Sequence, residues 1–191
     1  MLPDTEIKKN RKSLVLMFSI GLIPVIIAYI VFVYFPEYMP TSTTNQGELI
    51  TPSVSNEQIE LKIEGHQWTL LIPLAANCGE ECEKRFYFAR QVNVALGKEA
   101  ERVKRIMLTL PESDPAQIRA LEKAYPDMEK AEISRDKTSK VFANTISDLF
   151  DGDYVLLMDP NGNIMMYYTM DLLGQPMLKD IKFLLKISNI G

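Results

Sequence analysis

Histidine and cysteine are scarce in this chain: its 191 residues include one histidine, His66, and two cysteines, Cys78 and Cys82. Three such donors do not close a four-ligand zinc centre from this chain alone. A surplus of positive charge is lacking as well. With a net charge of −4 there is no basic excess to hold a phosphate backbone, so nucleic acid is not expected as a partner. No lysine or arginine occurs between Lys12 and Lys62, and no internal repeat is present. Low complexity is confined to one polar stretch, residues 40–56. What chemistry remains falls mainly on the two cysteines.

One long apolar run is present. The 22 residues 14–35 carry no charge, and as a helix they would extend about 33 Å, enough for a bilayer core. Gly21 and Pro24 are tolerated in such helices. A cleaved signal peptide would need an apolar region of about 7–15 residues and a small-residue cleavage site, whereas Pro36-Glu37-Tyr38-Met39-Pro40 is bulky. An uncleaved anchor is therefore expected, with Tyr29, Tyr34 and Tyr38 near its outer interface. Lys8, Lys9, Arg11 and Lys12 precede it, and the positive-inside rule leaves that end in the cytoplasm. The organisation expected is a cytoplasmic tail (1–13), a transmembrane helix (14–35), a linker (36–57) and an exported domain (58–191). The chain would cross the inner (cytoplasmic) membrane once, with its C-terminal domain in the periplasm; in a mitochondrion that side is the intermembrane space.

The exported part has the composition of a globular domain, the whole chain being 47% hydrophobic and 24% charged. Residues 40–56, rich in Thr, Ser, Asn and Pro, predict a loosely ordered linker. Alternation of Ile59, Leu61 and Ile63 with polar residues predicts a half-buried strand. A buried strand follows at 68–74, with Trp68 in the core and Pro73 near its end. Phe86, Ala89, Val92, Val94 and Leu96 line the apolar face of a helix that Gly97 closes. A strand at 103–110, a helix opened by Asp114 and Pro115, a short strand at 128–133 and a helix at 138–150 come next. Residues 154–158 and 164–169 flank the turn Asp159-Pro160-Asn161-Gly162 as a hairpin, and a helix at 177–187 ends the domain. Strands alternating with helices, ending in a hairpin and helix, predict an α/β fold with a mixed sheet between helices. His66 precedes the strand that the cysteines follow, which places it at the opposite end of the sheet.

The cysteines sit in Asn77-Cys78-Gly79-Glu80-Glu81-Cys82. They follow the strand at 68–74 and open the helix that runs to about Leu96. Side chains at i and i+4 of a helix share a face, with Cβ atoms about 5–6 Å apart. That spacing suits a disulfide, and two thiolates so placed can also pinch a soft ion such as Cu(I). A purely structural disulfide stays open beside these readings, although a loop this short would stabilise by only about 2 kcal/mol in the chain-entropy model. The helix N-terminus favours a thiolate; Glu80, Glu81 and Glu83 oppose it, and Lys84 and Arg85 offset part of that. A less acidic thiol than that of a strongly oxidising enzyme is expected. Met158, Met165, Met166 and Met170 offer thioethers to copper, but their strand alternation favours core packing.

A strand that delivers a cysteine pair onto a helix start resembles the thioredoxin-like layout. Thioredoxin catalysts have two residues between their cysteines and a proline before the strand facing them. This chain has three, and Asp151-Gly152-Asp153 ahead of Tyr154, which argues against efficient general oxidoreductase activity. Anchor, linker, Cys-x-x-x-Cys and the late Tyr-x-Leu-x-x-Asp-Pro-x-Gly at 154–162 together resemble the Sco family. The stretches 85–92 and 95–98 resemble more closely the bacterial transmembrane cytochrome oxidase-associated proteins, which look like Sco relatives. The resemblance spans about residues 14–190. It implies a thioredoxin-like fold and a role in assembling the CuA centre of cytochrome c oxidase, with an oxidase subunit or another assembly factor as partner. Cys78 and Cys82 would be the catalytic thiols, Cys78 attacking and Cys82 resolving, or the two ligands of Cu(I). Sco proteins add a histidine shortly before the late strand; here that position falls near Asp151 or Gly152, which leaves two-coordinate Cu(I) as the metal geometry implied.

Overall fold

From Glu48 onward, apolar strand-forming runs alternate with helical stripes, and a computed structural model shows what the alternation builds. The structure describes residues 4–35, 44–76, 78–146 and 148–188. The chain divides into two units, Met1–Thr44 and Asn45–Gly191.

In the first unit, helix α1 (Asp4–Tyr34) contains Pro24. Its segment Arg11–Tyr34, 24 residues of mean hydropathy 2.7, is long and apolar enough to cross a membrane. Phe18, Leu22, Val25 and Tyr29 stand exposed on it, as a lipid-facing surface requires. The helix begins N-terminal to the expected span and takes in the basic stretch. Tyr38 and the expected linker residues 36–43 lie outside the described residues.

The second unit is a six-stranded mixed sheet between helices. The strands are β1 (Glu48–Ser55), β2 (Trp68–Pro73), β3 (Val103–Thr109), β4 (Glu129–Glu132), β5 (Val155–Met158) and β6 (Asn163–Tyr168), in the order β1-β6-β5-β2-β3-β4. β2, β3 and β4 run parallel, while β5, β6 and β1 join by antiparallel pairing. Helices α2 (Glu80–Ala95), α3 (Pro115–Ala124), α4 (Arg135–Phe142) and α5 (Gln175–Ile187) complete it. β2 is buried throughout, the signature of a central strand covered on both faces. Successive side chains of a strand point to opposite faces. Leu70 and Ile72 accordingly join a core with Phe86 and Ala89 of α2, Leu121 of α3 and Ile181 of α5. Leu71 joins the other core, with Phe142 of α4, Leu149, Phe150, Leu156 and Ile164. Burying one such aliphatic side chain contributes about 1.5–3 kcal/mol, so the two faces together hold the sheet.

Four expectations change. Residues 48–55, expected within the linker, form the edge strand β1, whose only fully buried side chains are Ile50 and Val54. Residues 59–63 are no strand. Ser55 and Gln58 form a capping box over a 3-10 turn at Asn56–Ile59, and Glu60 follows with φ 54, so Ile59 and Leu61 are buried from a turn and the loop after it. The helix expected at 138–150 is confined to Arg135–Phe142. Ile146, Leu149 and Phe150 are nevertheless buried, and the Asp148 carboxylate accepts the Phe150 N–H at 2.8 Å within a turn. On α2, Val94 is exposed, contrary to expectation.

Space imposes glycine at two positions that hold β1 and the β5–β6 turn. Gly162, with φ 86, closes the β5–β6 turn where a Cβ would stand 2.5 Å from Asn56 Oδ1. Gly47 lets the chain approach Tyr168, whose ring would lie 2.5 Å from an added Cβ.

Candidate functional site

β2 ends at Pro73, and the Leu74 N–H still donates to the Leu108 carbonyl at 2.8 Å, carrying the chain to the parallel-strand end of the sheet. There the chain turns into α2, whose N-cap is Gly79 in an extended conformation without a side-chain cap. Asn77 lies outside the described residues. Cys78 and Cys82 are joined in a disulfide with a Cα–Cα distance of 5.1 Å. Cys82 is buried in the core under α2, whereas Cys78 is only partly buried against that core. Beside Cys78 a cleft of about 240 Å³ opens between α2 and α3, lined by Glu83, Gln117, Leu121 and Tyr125 among others. The Tyr125 ring stands 6.1 Å from that of Phe86, and burial raises its hydroxyl pKa.

The first turn of α2 holds Glu80, Glu81 and Glu83, acidic residues at the positive end of the helix dipole. Lys84 pairs with Glu80 at 2.7 Å on the surface. Arg85, which the sequence presents as an ordinary surface cation, is wholly buried. Its Nη1 donates to the carbonyl oxygens of Gly152 (3.2 Å) and Tyr154 (3.4 Å), and its Nε lies 3.7 Å from the Asp153 carboxylate. Burial lowers the Arg85 pKa, with the charges of Asp153 and Glu81 opposing that. A signal for this burial is present in the sequence: Arg85 falls on the helical stripe Cys82, Phe86, Ala89, Val92, all of which are buried.

The loop ahead of β5, where the family resemblance would place a histidine, is taken up by backbone and ion pairs. Asp151 binds Arg135 Nη2 at 3.1 Å, and Gly152 supplies the carbonyl to Arg85. His66 Nδ1 is 3.0 Å from the Pro160 carbonyl, at the hairpin turn rather than beside the cysteines. Met158 and Met166 are core residues on opposite faces of the sheet. Among the described residues no group of three or more His, Cys, Asp or Glu is arranged to hold a metal. Among the described residues the soft donors at this site are the two sulfurs.

Residues 68–188 match the family model of the transmembrane-like, thioredoxin-like C-terminal domain. Among solved structures, apo Sco1 from Thermus thermophilus is 14% identical over 75% of this chain and 99% of its own, with a TM-score of 0.52. Yeast Sco1 is 14% identical over 65% of this chain and 83% of its own, also at 0.52. The thioredoxin domain of a thiol-disulfide oxidoreductase from Bacteroides vulgatus is 16% identical over 73% and 91%, at 0.47. At these identities the likeness to the two Sco1 structures is one of fold. No curated protein matches the chain.

Proposed function

The chain belongs to the transmembrane-like, thioredoxin-like C-terminal domain family, and from that premise we propose that it is a membrane-tethered, Sco-like thiol-disulfide protein serving the assembly of the CuA centre of cytochrome c oxidase. The observation that carries the reading is the Cys78–Cys82 disulfide at the start of α2, one sulfur beside a cleft and the other buried. That asymmetry suits exchange. The reduced Cys78 sulfur attacks a disulfide of the client, and a mixed disulfide forms. Cys82 then attacks the Cys78 sulfur, the client leaves as a dithiol, and the Cys78–Cys82 bond is made. Two electrons and two protons pass to the client, and a dithiol donor restores the pair. With the basic end of α1 in the cytoplasm and the domain on the periplasmic side, the anchor confines the pair to the membrane surface and raises its effective concentration at an oxidase subunit or another assembly factor.

The donor set favours a second reading of the same residues. Reduced, Cys78 and Cys82 present two soft sulfurs that fit linear Cu(I) as cargo, and among the described residues no cluster of His, Cys, Asp or Glu supplies a third ligand. Both readings are tested on the full chain in detergent, with a two-cysteine peptide from the oxidase copper-binding subunit as client. Cys82→Ser should trap a mixed disulfide through Cys78, and Cys78→Ser should trap none. Equal exchange with unrelated disulfides would move the reading to a general oxidoreductase; no exchange in the wild type would leave a structural disulfide in a non-catalytic interaction protein. Titrating the reduced chain with Cu(I) against a chelator decides the cargo. One-to-one binding lost in Cys78→Ser supports it, and no binding removes it.

A further inference from the structure

Among the described residues Arg85 is the largest fully buried side chain, and its hydrogen bonding is incomplete. Nη1 serves the Gly152 and Tyr154 carbonyls, but neither Nε nor Nη2 meets a hydrogen-bond acceptor. Asp153 approaches Nε only to 3.7 Å and stays half-exposed. Buried donors are almost always satisfied, and a redox or catalytic role is one of the reasons a native site leaves one open. The buried residues of α2 are Cys82, Arg85, Phe86, Ala89 and Val92. Of its neighbours on that face, Cys82 alone carries a side-chain atom able to accept a hydrogen bond. It precedes Arg85 by three residues, the spacing that brings helical side chains together. Long side chains on a helix also lean over the turn N-terminal to them.

We propose that Arg85 is the positioning residue of the cysteine pair. On reduction, its open N–H groups take up the Cys82 sulfur and so stabilise the reduced pair relative to the disulfide. Nη1 meanwhile keeps the 152–154 loop against the helix. A sulfur released from the S–S bond carries more negative charge and is the better acceptor for a guanidinium. The inference rests on the exchange reading above. In the reaction the Cys78–Cys82 bond breaks and gains two electrons and two protons from a dithiol, whose own sulfurs close into a disulfide; Arg85 exchanges no proton.

The test equilibrates the full chain in detergent with mixtures of reduced and oxidised dithiothreitol and counts alkylated thiols by mass. Arg85→Met should shift the equilibrium toward the disulfide by at least about tenfold, the scale of one charge-assisted hydrogen bond, which is about 30 mV for a two-electron couple. Arg85→Lys keeps the charge and should shift it less than Arg85→Gln; this pair carries the test if Arg85→Met does not fold. The melting temperature of the reduced form should fall further than that of the oxidised form. An unshifted potential with equal loss of melting temperature in both forms would make Arg85 a loop clamp alone and overturn the inference. A disulfide that dithiothreitol cannot open would overturn the exchange reading as well.

Discussion

Asp180 gives a direct test of how the second unit is held together. It lies on α5, is 4% exposed, and accepts the backbone N–H groups of Gln46 (2.8 and 2.9 Å) and Gly47 (2.8 Å), together with the Tyr168 hydroxyl at 3.3 Å. Asp180→Ala removes a charged acceptor and strands the buried Gly47 amide and the buried phenol, at about 1–3 kcal/mol for each orphaned group. Gln46 is exposed, so its amide regains a bond to water and adds little. The expected loss is about 3–5 kcal/mol, or roughly 10 °C in Tm for a domain of this size. Asp180→Asn, which keeps one acceptor oxygen and the side-chain volume, should lose about half as much. Urea unfolding of the full chain in detergent, followed by near-UV circular dichroism, measures the loss. Hydrogen exchange should show the Gly47 amide unprotected in the alanine variant. A loss below about 1 kcal/mol would mean that desolvating the carboxylate cancels its hydrogen bonds, and would refute Asp180 as a tie between α5 and the Gln46–Gly47 backbone.

Two further outcomes follow from local geometry. Burial first, then the hydrogen bond to Glu48 and its charge, push the Tyr167 hydroxyl up to about 12. The stabilisation it contributes is present below pH 10 and lost as pH rises toward 12, and Tyr167→Phe should flatten that alkaline limb; an unchanged limb would refute the assignment. Gly162→Ala forces a Cβ onto a residue with φ 86, 2.5 Å from Asn56 Oδ1, and should cost about 1–3 kcal/mol. Urea midpoints measure it, and an unaltered midpoint would show that the turn relaxes freely.

The central elements were legible because their residues obey one period throughout. Trp68, Leu70, Leu71 and Ile72 are an apolar run bounded by His66 and Pro73, and Asp114 with Pro115 marks a helix start that the structure reproduces, the carboxylate accepting the Ala116 N–H at 2.8 Å. β1 was hidden for three physical reasons. It is an edge strand with Glu48, Leu49, Thr51 and Pro52 exposed. Its register shifts between Leu49 and Val54, and its partner β6 lies more than a hundred residues downstream. At 59–63 the burial alternation was real, but the Ser55 and Gln58 capping box decided the backbone. The cysteine pair was visible in the spacing alone. Arg85 was not, because a cation on a helix is ordinarily solvated, and its place on the buried stripe shows only when residues 82, 85, 86, 89 and 92 are projected together.

β4, the outer strand on the side away from β1, is Glu129-Lys130-Ala131-Glu132 with only Ala131 half-buried. Lys104 reaches Glu129 at 3.0 Å, and Lys130 reaches Glu122 at 2.9 Å. A free sheet edge is a template for another chain, and proteins confined to a surface meet one another often. A second copy pairing here would have to set its strand beside Glu129 and Lys130, whose charges are already engaged, and the charge of Glu132. The short charged border thus acts as a selvedge: the sheet stops at β4, and crowding favours separate molecules over a growing ribbon of them.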